Sequence, residues 1–213
     1  AGFLRGVREL ARKHDVLLIA DEVATGFGRT GRMFACEHED VSPDLMCLAK
    51  GITGGYLPLA ATLCTDDIYN AYTGALSERK TLYHGHTYTG NALACAAALA
   101  SLKLFDDTNL LEHIRESGDI IHDRLNALRD HPHIMDIRQR GMMVGIELCR
   151  DRHTSEPFDF ARRTGAEVCL AMRSKGLIVR PLGDVIVLMP IPAMPHDVLH
   201  DMLNVVVSTL QSW

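Results

Sequence analysis

The sequence predicts an α/β fold, and three observations carry that prediction. Short apolar runs occur at residues 16–20, 44–49 and 59–64, and the first is continuous, as expected of a strand covered on both faces. Glycine- and proline-marked loops separate these runs. The second half alternates short apolar or alternating strands with helical patterns over residues 157–175 and 196–211.

In order, Phe3, Leu4, Val7, Leu10 and Ala11 repeat at helical spacing, so a first helix is expected to about His14. Because the chain opens inside such a helix without an initiator methionine, it reads as part of something longer. Val16 to Ala20 is the first strand and ends at Asp21. Thr25 to Arg32, with Gly26, Gly28 and Gly31, is a loop; Asp44 to Ala49 is a second strand that ends at Lys50; Leu59 to Cys64 is a third. A short helix and loop cover Asp66 to Ala75.

A helix of small residues follows from Asn91 to Phe105, and its alanines predict close packing on more than one side. Asp107 or Thr108 is expected to cap the next helix, whose apolar face is Leu111, Ile114, Ile121, Leu125 and Leu128. Strands are then expected at Ile134–Gln139, Met142–Leu148, Leu177–Val179 and Val185–Met189, with Gly176 ending one helix and Pro195 starting the last. The change of character places a domain boundary near residue 106, giving domains 1–106 and 107–213.

Composition narrows the function. With 47% apolar and 23% charged residues the chain is an ordinary globular protein. A formal charge of −5 and the lack of any basic run argue against a nucleic-acid partner. No apolar stretch approaches the roughly 20 residues that cross a bilayer, so no membrane role is expected. Six cysteines without a C-x-x-C pair read as free thiols of a reducing cytosol, hence a cytoplasmic protein, rather than disulfides or zinc ligands.

The chemistry lies in a pair of residues. Leu17-Leu18-Ile19-Ala20-Asp21-Glu22-Val23 is an apolar strand ending in a carboxylate, and Leu48-Ala49-Lys50-Gly51 delivers a lysine at the end of the next. Pyridoxal 5′-phosphate needs this combination: a lysine amine condenses with its aldehyde, and a buried carboxylate keeps its pyridine nitrogen protonated. Partial burial of Lys50 is expected to lower its pKa toward the neutral amine. Each residue alone also fits a blander role, Asp21 as a helix cap or ion-pair partner and Lys50 as a solvated strand end. Glu22 reads as a hydrogen-bonding neighbour, and Val23 as either a cofactor contact or a core valine.

Two further segments fit the same chemistry. Tyr83-His84-Gly85-His86-Thr87-Tyr88-Thr89-Gly90-Asn91 precedes the alanine-rich helix, where a hydroxyl and open backbone N–H groups suit a phosphate, although Thr87 and Thr89 also suit simple caps. His84 and His86 lack a third metal ligand, so no metal is expected there. Arg180, at the end of an apolar strand, suits a substrate carboxylate or a plain surface position. His113, His122, His131 and His133 read as ordinary helix or loop residues. An apolar strand ending in Asp-Glu also fits a nucleotide hydrolase, but the phosphate-binding G-x-x-x-x-G-K-[ST] loop is missing.

Together these segments resemble the class III aminotransferases, pyridoxal phosphate enzymes of fold type I, over about Leu17 to Pro192. Asp21-Glu22-Val23-Ala24-Thr25-Gly26-Phe27-Gly28-Arg29-Thr30-Gly31, Phe34-Ala35-Cys36 and Arg180-Pro181-Leu182-Gly183-Asp184 are most similar to the biotin-synthesis branch of that class. That branch moves an amino group from S-adenosylmethionine, or lysine, to 8-amino-7-oxononanoate. Other class III transaminases, acting on ornithine, acetylornithine or omega-amino acids, are the alternative.

The resemblance implies a catalytic Lys50 and a cofactor set of Asp21, Val23, Lys50, His86 and Thr87. It implies a substrate set of Gly85, Arg180 and, in the loop, Arg29. It also implies a homodimer with active sites shared across the interface, Thr87 serving the cofactor held mainly by the other subunit. The domains would be the later part of a large, mostly parallel-sheet domain and a small α+β domain. Family members are about twice as long, so a phosphate-cupping glycine-serine loop and a ring-stacking aromatic residue are expected outside this chain. The chain alone is expected to be inactive.

Overall fold

A computed structural model describes residues 2–213. The chain forms two compact units, one running to Asn109 and the other starting at Leu110.

The first unit begins with α1 (Phe3–Lys13), whose last turn carries Arg12 and Lys13 where positive charge suits the helix dipole. Its start is held from a distance. Glu39 accepts hydrogen bonds from the Gly2 and Arg5 N–H groups at 2.7 and 2.9 Å. Farther along the helix, Arg8 makes a two-pronged pair with Asp44 at 2.5 and 2.9 Å, and Asp44 also accepts from the Leu18 N–H at 2.7 Å. One carboxylate thereby ties α1 to the strands that follow.

Those strands are β1 (Ile19–Asp21), β2 (Leu45–Leu48) and β3 (Ala61–Cys64), in sheet order β1-β2-β3. β1 and β2 are parallel, with Ile19 opposite Leu45 and Asp21 opposite Cys47; β3 runs antiparallel to β2. β1 is shorter than the apolar run predicts, and Val16, Leu17 and Ile19 are exposed rather than covered on both faces. The physical reason is that this unit lays little chain over β1: its buried apolar set is Phe27, Cys36, Val41, Leu48, Ala94 and Ala98. The third predicted strand, residues 59–64, is ordered into β3 only from Ala61.

After α2 (Asp66–Ala71) comes α3 (Ala92–Asp107), capped by Asn91, whose side chain accepts from the Leu93 and Ala94 N–H groups at 3.1 Å. Thr87 and Thr89 are not its caps. Only Ala94 and Ala98 are buried, so within this unit the helix packs on one side instead of several, leaving Leu93 and Leu99 exposed. Thr108 closes α3 through its hydroxyl on the Leu104 carbonyl at 2.7 Å, so neither it nor Asp107 caps the next helix.

The second unit comprises α4 (Leu110–Leu125), β4 (Ile134–Arg140), β5 (Met143–Leu148), α5 (Thr164–Ser174), β6 (Arg180–Leu182), β7 (Val185–Leu188) and α6 (His196–Gln211). Its antiparallel sheet has the order β4-β5-β7-β6. Burial alternates along β5 and β7, as a sheet with one covered face requires. Val144, Ile146, Leu148, Ile186 and Leu188 form that face. Ile114, Ile121 and Leu125 of α4, Met172 of α5, and Leu199 and Leu203 of α6 are buried with them.

Two predicted boundaries move. The helix predicted from residue 157 starts at Thr164, after a tight turn over Phe160–Arg162. The strand predicted at Leu177–Val179 forms at Arg180–Leu182. Gly176, at φ +89°, lets the Leu177 N–H return to the Met172 carbonyl, and the next residues are used in leaving the helix. Pro181 is tolerated because β6 is an edge strand. Among the described residues no helix is long and apolar enough to cross a membrane.

The Arg8 guanidinium and then the Leu18 N–H hold the Asp44 carboxyl down to about 2. A carboxylate depressed in the folded state stabilises the fold fully above its unfolded value, about 3.9, and loses that contribution as pH falls through the folded value. The stability gap between wild type and Asp44→Asn, measured by urea unfolding, should therefore be complete above about pH 4 and close toward about pH 2. A gap that is independent of pH refutes this.

Candidate functional site

The parallel pairing of β1 and β2 puts Asp21 and the residues leading to Lys50 at the same carboxyl-terminal edge of the sheet, where open α/β sheets bind ligands. The ladder continues one step beyond β1, with the Glu22 N–H donating to the Cys47 carbonyl at 3.0 Å. Asp21 is exposed rather than buried, because it stands at the open end of a three-residue strand. The Val23 N–H donates to Asp21 Oδ1 at 3.0 Å, and Oδ2 has no hydrogen bond among the described residues. Val23 is half-buried.

Lys50 opens a tight turn, Lys50–Thr53, instead of ending the strand. Its φ of +48° lies in the left-handed region, which costs a non-glycine residue about 1–2 kcal/mol. That backbone turns Lys50 outward, so its side chain is exposed where partial burial was expected. The turn itself is anchored. Thr53 is buried and its hydroxyl donates to the Leu57 carbonyl at 2.6 Å. Ser101 of α3 reaches the Gly51 carbonyl at 3.4 Å. A Cβ on Gly51 would stand 2.8 Å from Phe27 Cβ, so the backbone next to Lys50 lies directly on that ring.

Phe27 is positioned in turn by the glycine-rich loop. It is buried, meets Phe34 edge-on with ring centres 5.7 Å apart, and takes a φ of +58°. Gly26 is obligatory there, since a Cβ would sit 2.9 Å from the Glu22 carbonyl oxygen. Glu22 is 2% exposed. Its carboxylate accepts from the Thr25 hydroxyl, the Ala35 N–H at 3.0 Å and the Cys36 N–H at 2.8 Å. Burial pushes the Glu22 carboxyl up, but these hydrogen bonds outweigh it and hold it below its ordinary value. The same burial, with Glu22 beside it, pushes the Cys36 thiol up to about 12, which keeps it protonated and inert. His38 Nε2 bonds the Thr30 carbonyl and hydroxyl at 3.0 and 3.1 Å and pins the far side of the loop.

The other sequence-predicted residues are placed less tightly. Arg29 is half-buried in the loop, and burial lowers its guanidinium from its ordinary value. Gly85, His86 and Thr87 lie in an exposed segment without regular structure. It is shaped only locally, by the Tyr88 N–H on His86 Nδ1 at 3.1 Å and the Thr89 N–H on the His86 carbonyl at 2.9 Å. No hydrogen bond joins it to Asp21 or Lys50 among the described residues. Arg180 belongs to the second unit, where it starts β6 rather than ending a strand; it is exposed and has no ion-pair partner among the described residues. All six cysteines are free, with Cys36, Cys149 and Cys169 buried and Cys64 exposed.

Sequence reasoning missed Phe27 and Gly51, which set the position of Lys50. The only signal was a glycine directly after the lysine, and glycine at a strand end has many explanations.

Comparison with known proteins adds an independent finding. The family profile for class-III aminotransferases matches residues 1–210. An adenosylmethionine-8-amino-7-oxononanoate aminotransferase from Aquifex aeolicus is 54% identical over 99% of this chain and 46% of its own length. One from Geobacter sulfurreducens is 52% identical over 98% of this chain and 47% of its own. The crystal structure of the enzyme of that name from Methanocaldococcus jannaschii superposes with a TM-score of 0.94 at 45% identity, covering 99% of this chain and 49% of that one. The chain thus spans about half the length of the relatives it matches.

Gly51→Ala should destabilise the first unit by about 1–3 kcal/mol, the range for overpacking, because the new methyl meets Phe27. Glu22→Gln should cost about 1–3 kcal/mol, since an amide N–H must then face the loop's own donors. Thermal unfolding of the two variants checks both, and wild-type melting by either removes the corresponding anchor.

Proposed function

The chain belongs to the class III aminotransferases, with the fold type I architecture of that class, and from this premise we propose that it is the carboxyl-terminal half of an adenosylmethionine–8-amino-7-oxononanoate aminotransferase. The observation that carries the proposal is the pairing of β1 and β2, which brings a carboxylate with an unengaged oxygen and an outward-facing lysine amine to one sheet edge. The 54% identity to an enzyme of that name favours this branch over other transaminases. In this reading the unit ending at Asn109 is the later part of the large domain, and the unit starting at Leu110 is the small domain.

The residues present fit pyridoxal phosphate. A carboxylate held by a single backbone N–H suits a protonated pyridine nitrogen, and a primary amine in the turn after the neighbouring strand suits an aldehyde. When bound, the cofactor supplies an aldehyde that captures amines and a ring that accepts electrons. Asp21 would pair with the ring nitrogen and keep its proton in place. Lys50 Nζ would hold the cofactor and carry a proton to and from the reacting carbon, its backbone placed by Gly51 against Phe27. Val23 would pack near the ring, His86 would contact the cofactor, Thr87 would serve the phosphate of the cofactor held mainly by the other subunit, and Gly85 and Arg29 would border the substrate. Arg180 clamps the carboxylate of 8-amino-7-oxononanoate through its two-pronged guanidinium. The amino donor is S-adenosylmethionine or lysine.

The proposal extends to a homodimer with shared active sites. Its support is the exposed apolar surface of the first unit, including Ile19, Leu63, Leu93 and Leu99, which calls for cover by polypeptide beyond this chain. Free, partly buried cysteines support a cytoplasmic setting.

Borohydride reduction of the complete protein with pyridoxal phosphate, followed by peptide mapping, should place the pyridoxyl group on the peptide containing Lys50. Lys50→Ala should lose that label and lower transamination of 8-amino-7-oxononanoate by about 10²- to 10⁴-fold or more. Label on another lysine, or none in a folded and cofactor-exposed protein, overturns the assignment of Asp21 and Lys50.

A further inference from the structure

The second unit holds a side-chain cluster for which transamination has no use. His113 and Glu116 lie three residues apart on one face of α4, and His196 is the first residue of α6. One nitrogen from each imidazole and one Glu116 carboxylate oxygen all lie within 4.8 Å of one another. The two rings stack almost parallel, with centres 4.4 Å apart and planes 6° from coincidence in direction.

The hydrogen bonding of the cluster is incomplete in a specific way. His113 Nε2 lies 2.9 Å from the Met194 carbonyl oxygen, which can only accept. Nε2 therefore carries the hydrogen, and Nδ1 keeps an in-plane lone pair. A backbone carbonyl on one ring nitrogen is how metal-binding histidines are commonly oriented. His196 Nε2 is buried without a hydrogen-bond partner, a costly state for a polar atom. Glu116 forms no ion pair among the described residues, whereas Glu112 and Arg115 beside it pair with each other.

We propose that His113, Glu116 and His196 form a binding site for a divalent transition-metal ion of the zinc type. Two imidazole nitrogens and one carboxylate oxygen are the donor set that such ions prefer, and calcium or magnesium would want oxygens in place of the imidazoles. Two neutral rings and one carboxylate leave the ion net positive, with a fourth position for water. Metal–nitrogen distances of about 2.0–2.1 Å require the donors to close in and the rings to turn out of parallel, since ring lone pairs lie in the ring planes. The bound ion gives His196 Nε2 the partner it lacks and clips the first turns of α4 to the start of α6. The site serves stability rather than the reaction, and it stands or falls independently of the proposed activity.

The test uses the complete protein freed of metal, with Zn²⁺ titrated calorimetrically and Co²⁺ as a spectroscopic probe, in wild type, Glu116→Gln and His196→Ala. Glu116 is exposed, so its variant is the one expected to keep the wild-type melting temperature without metal. The expected result is one site per chain that both variants weaken by about tenfold or more. Bound Co²⁺ should show ligand-field absorption without the thiolate charge-transfer band that the cysteines would give, and Zn²⁺ should raise the wild-type melting temperature more than that of either variant. Equal Zn²⁺ affinity in all three proteins, no binding, or a Co²⁺–thiolate spectrum overturns the site.

Discussion

A single buried carboxylate organises the carboxyl-terminal sheet edge of the first unit. Glu22 stands one residue beyond β1 and accepts from Thr25, Ala35 and Cys36, which fastens both ends of the glycine-rich loop to the sheet. The loop then has one place to put Phe27, and Phe27 has one backbone to lie against, that of Gly51. Lys50 is therefore aimed by a chain of contacts that starts at a charge thirteen residues from Ala35 and fourteen from Cys36. Burying an ion is expensive unless its hydrogen bonds are complete, and here two backbone N–H groups and a hydroxyl complete them.

The two units solve the problem of burial differently. The second covers one face of an antiparallel sheet with α4, α5 and α6 and buries large side chains completely, among them Ile114, Ile146, Met172 and Leu203. The first ties its elements together with polar links, Arg8 to Asp44, Glu39 to the start of α1 and Glu22 to the loop, while Ile19, Leu93 and Leu99 stay exposed. A helix rich in alanine is built for close approach on several sides, and within this unit α3 uses only the Ala94 and Ala98 side.

Much of this was legible beforehand, for reasons that differ by element. The helices α4 and α6 follow from apolar spacing that matches one turn of helix, and β5 and β7 from alternation or apolar runs between turn residues. β6 was displaced because periodicity cannot see how many residues a helix spends on its exit after Gly176. Thr108 is ambiguous in sequence, because a threonine between two helices can close the first or open the second, and only its bond to the Leu104 carbonyl decides which. His113 looked ordinary because its partner His196 is remote in sequence.

What the residues by themselves determined is the chemistry on offer: an acid at the end of one apolar strand, a lysine after the next, and glycines between. Residue type dictates proton affinity and reach, and local periodicity dictates strand or helix, so neither needs the rest of the chain. Only the tertiary structure decided that the two strands are parallel neighbours, that Lys50 turns outward in a left-handed backbone and that Gly51 rests on Phe27. Those outcomes depend on contacts between residues far apart in sequence, where steric exclusion and complete hydrogen bonding select one arrangement from the many that local preference permits.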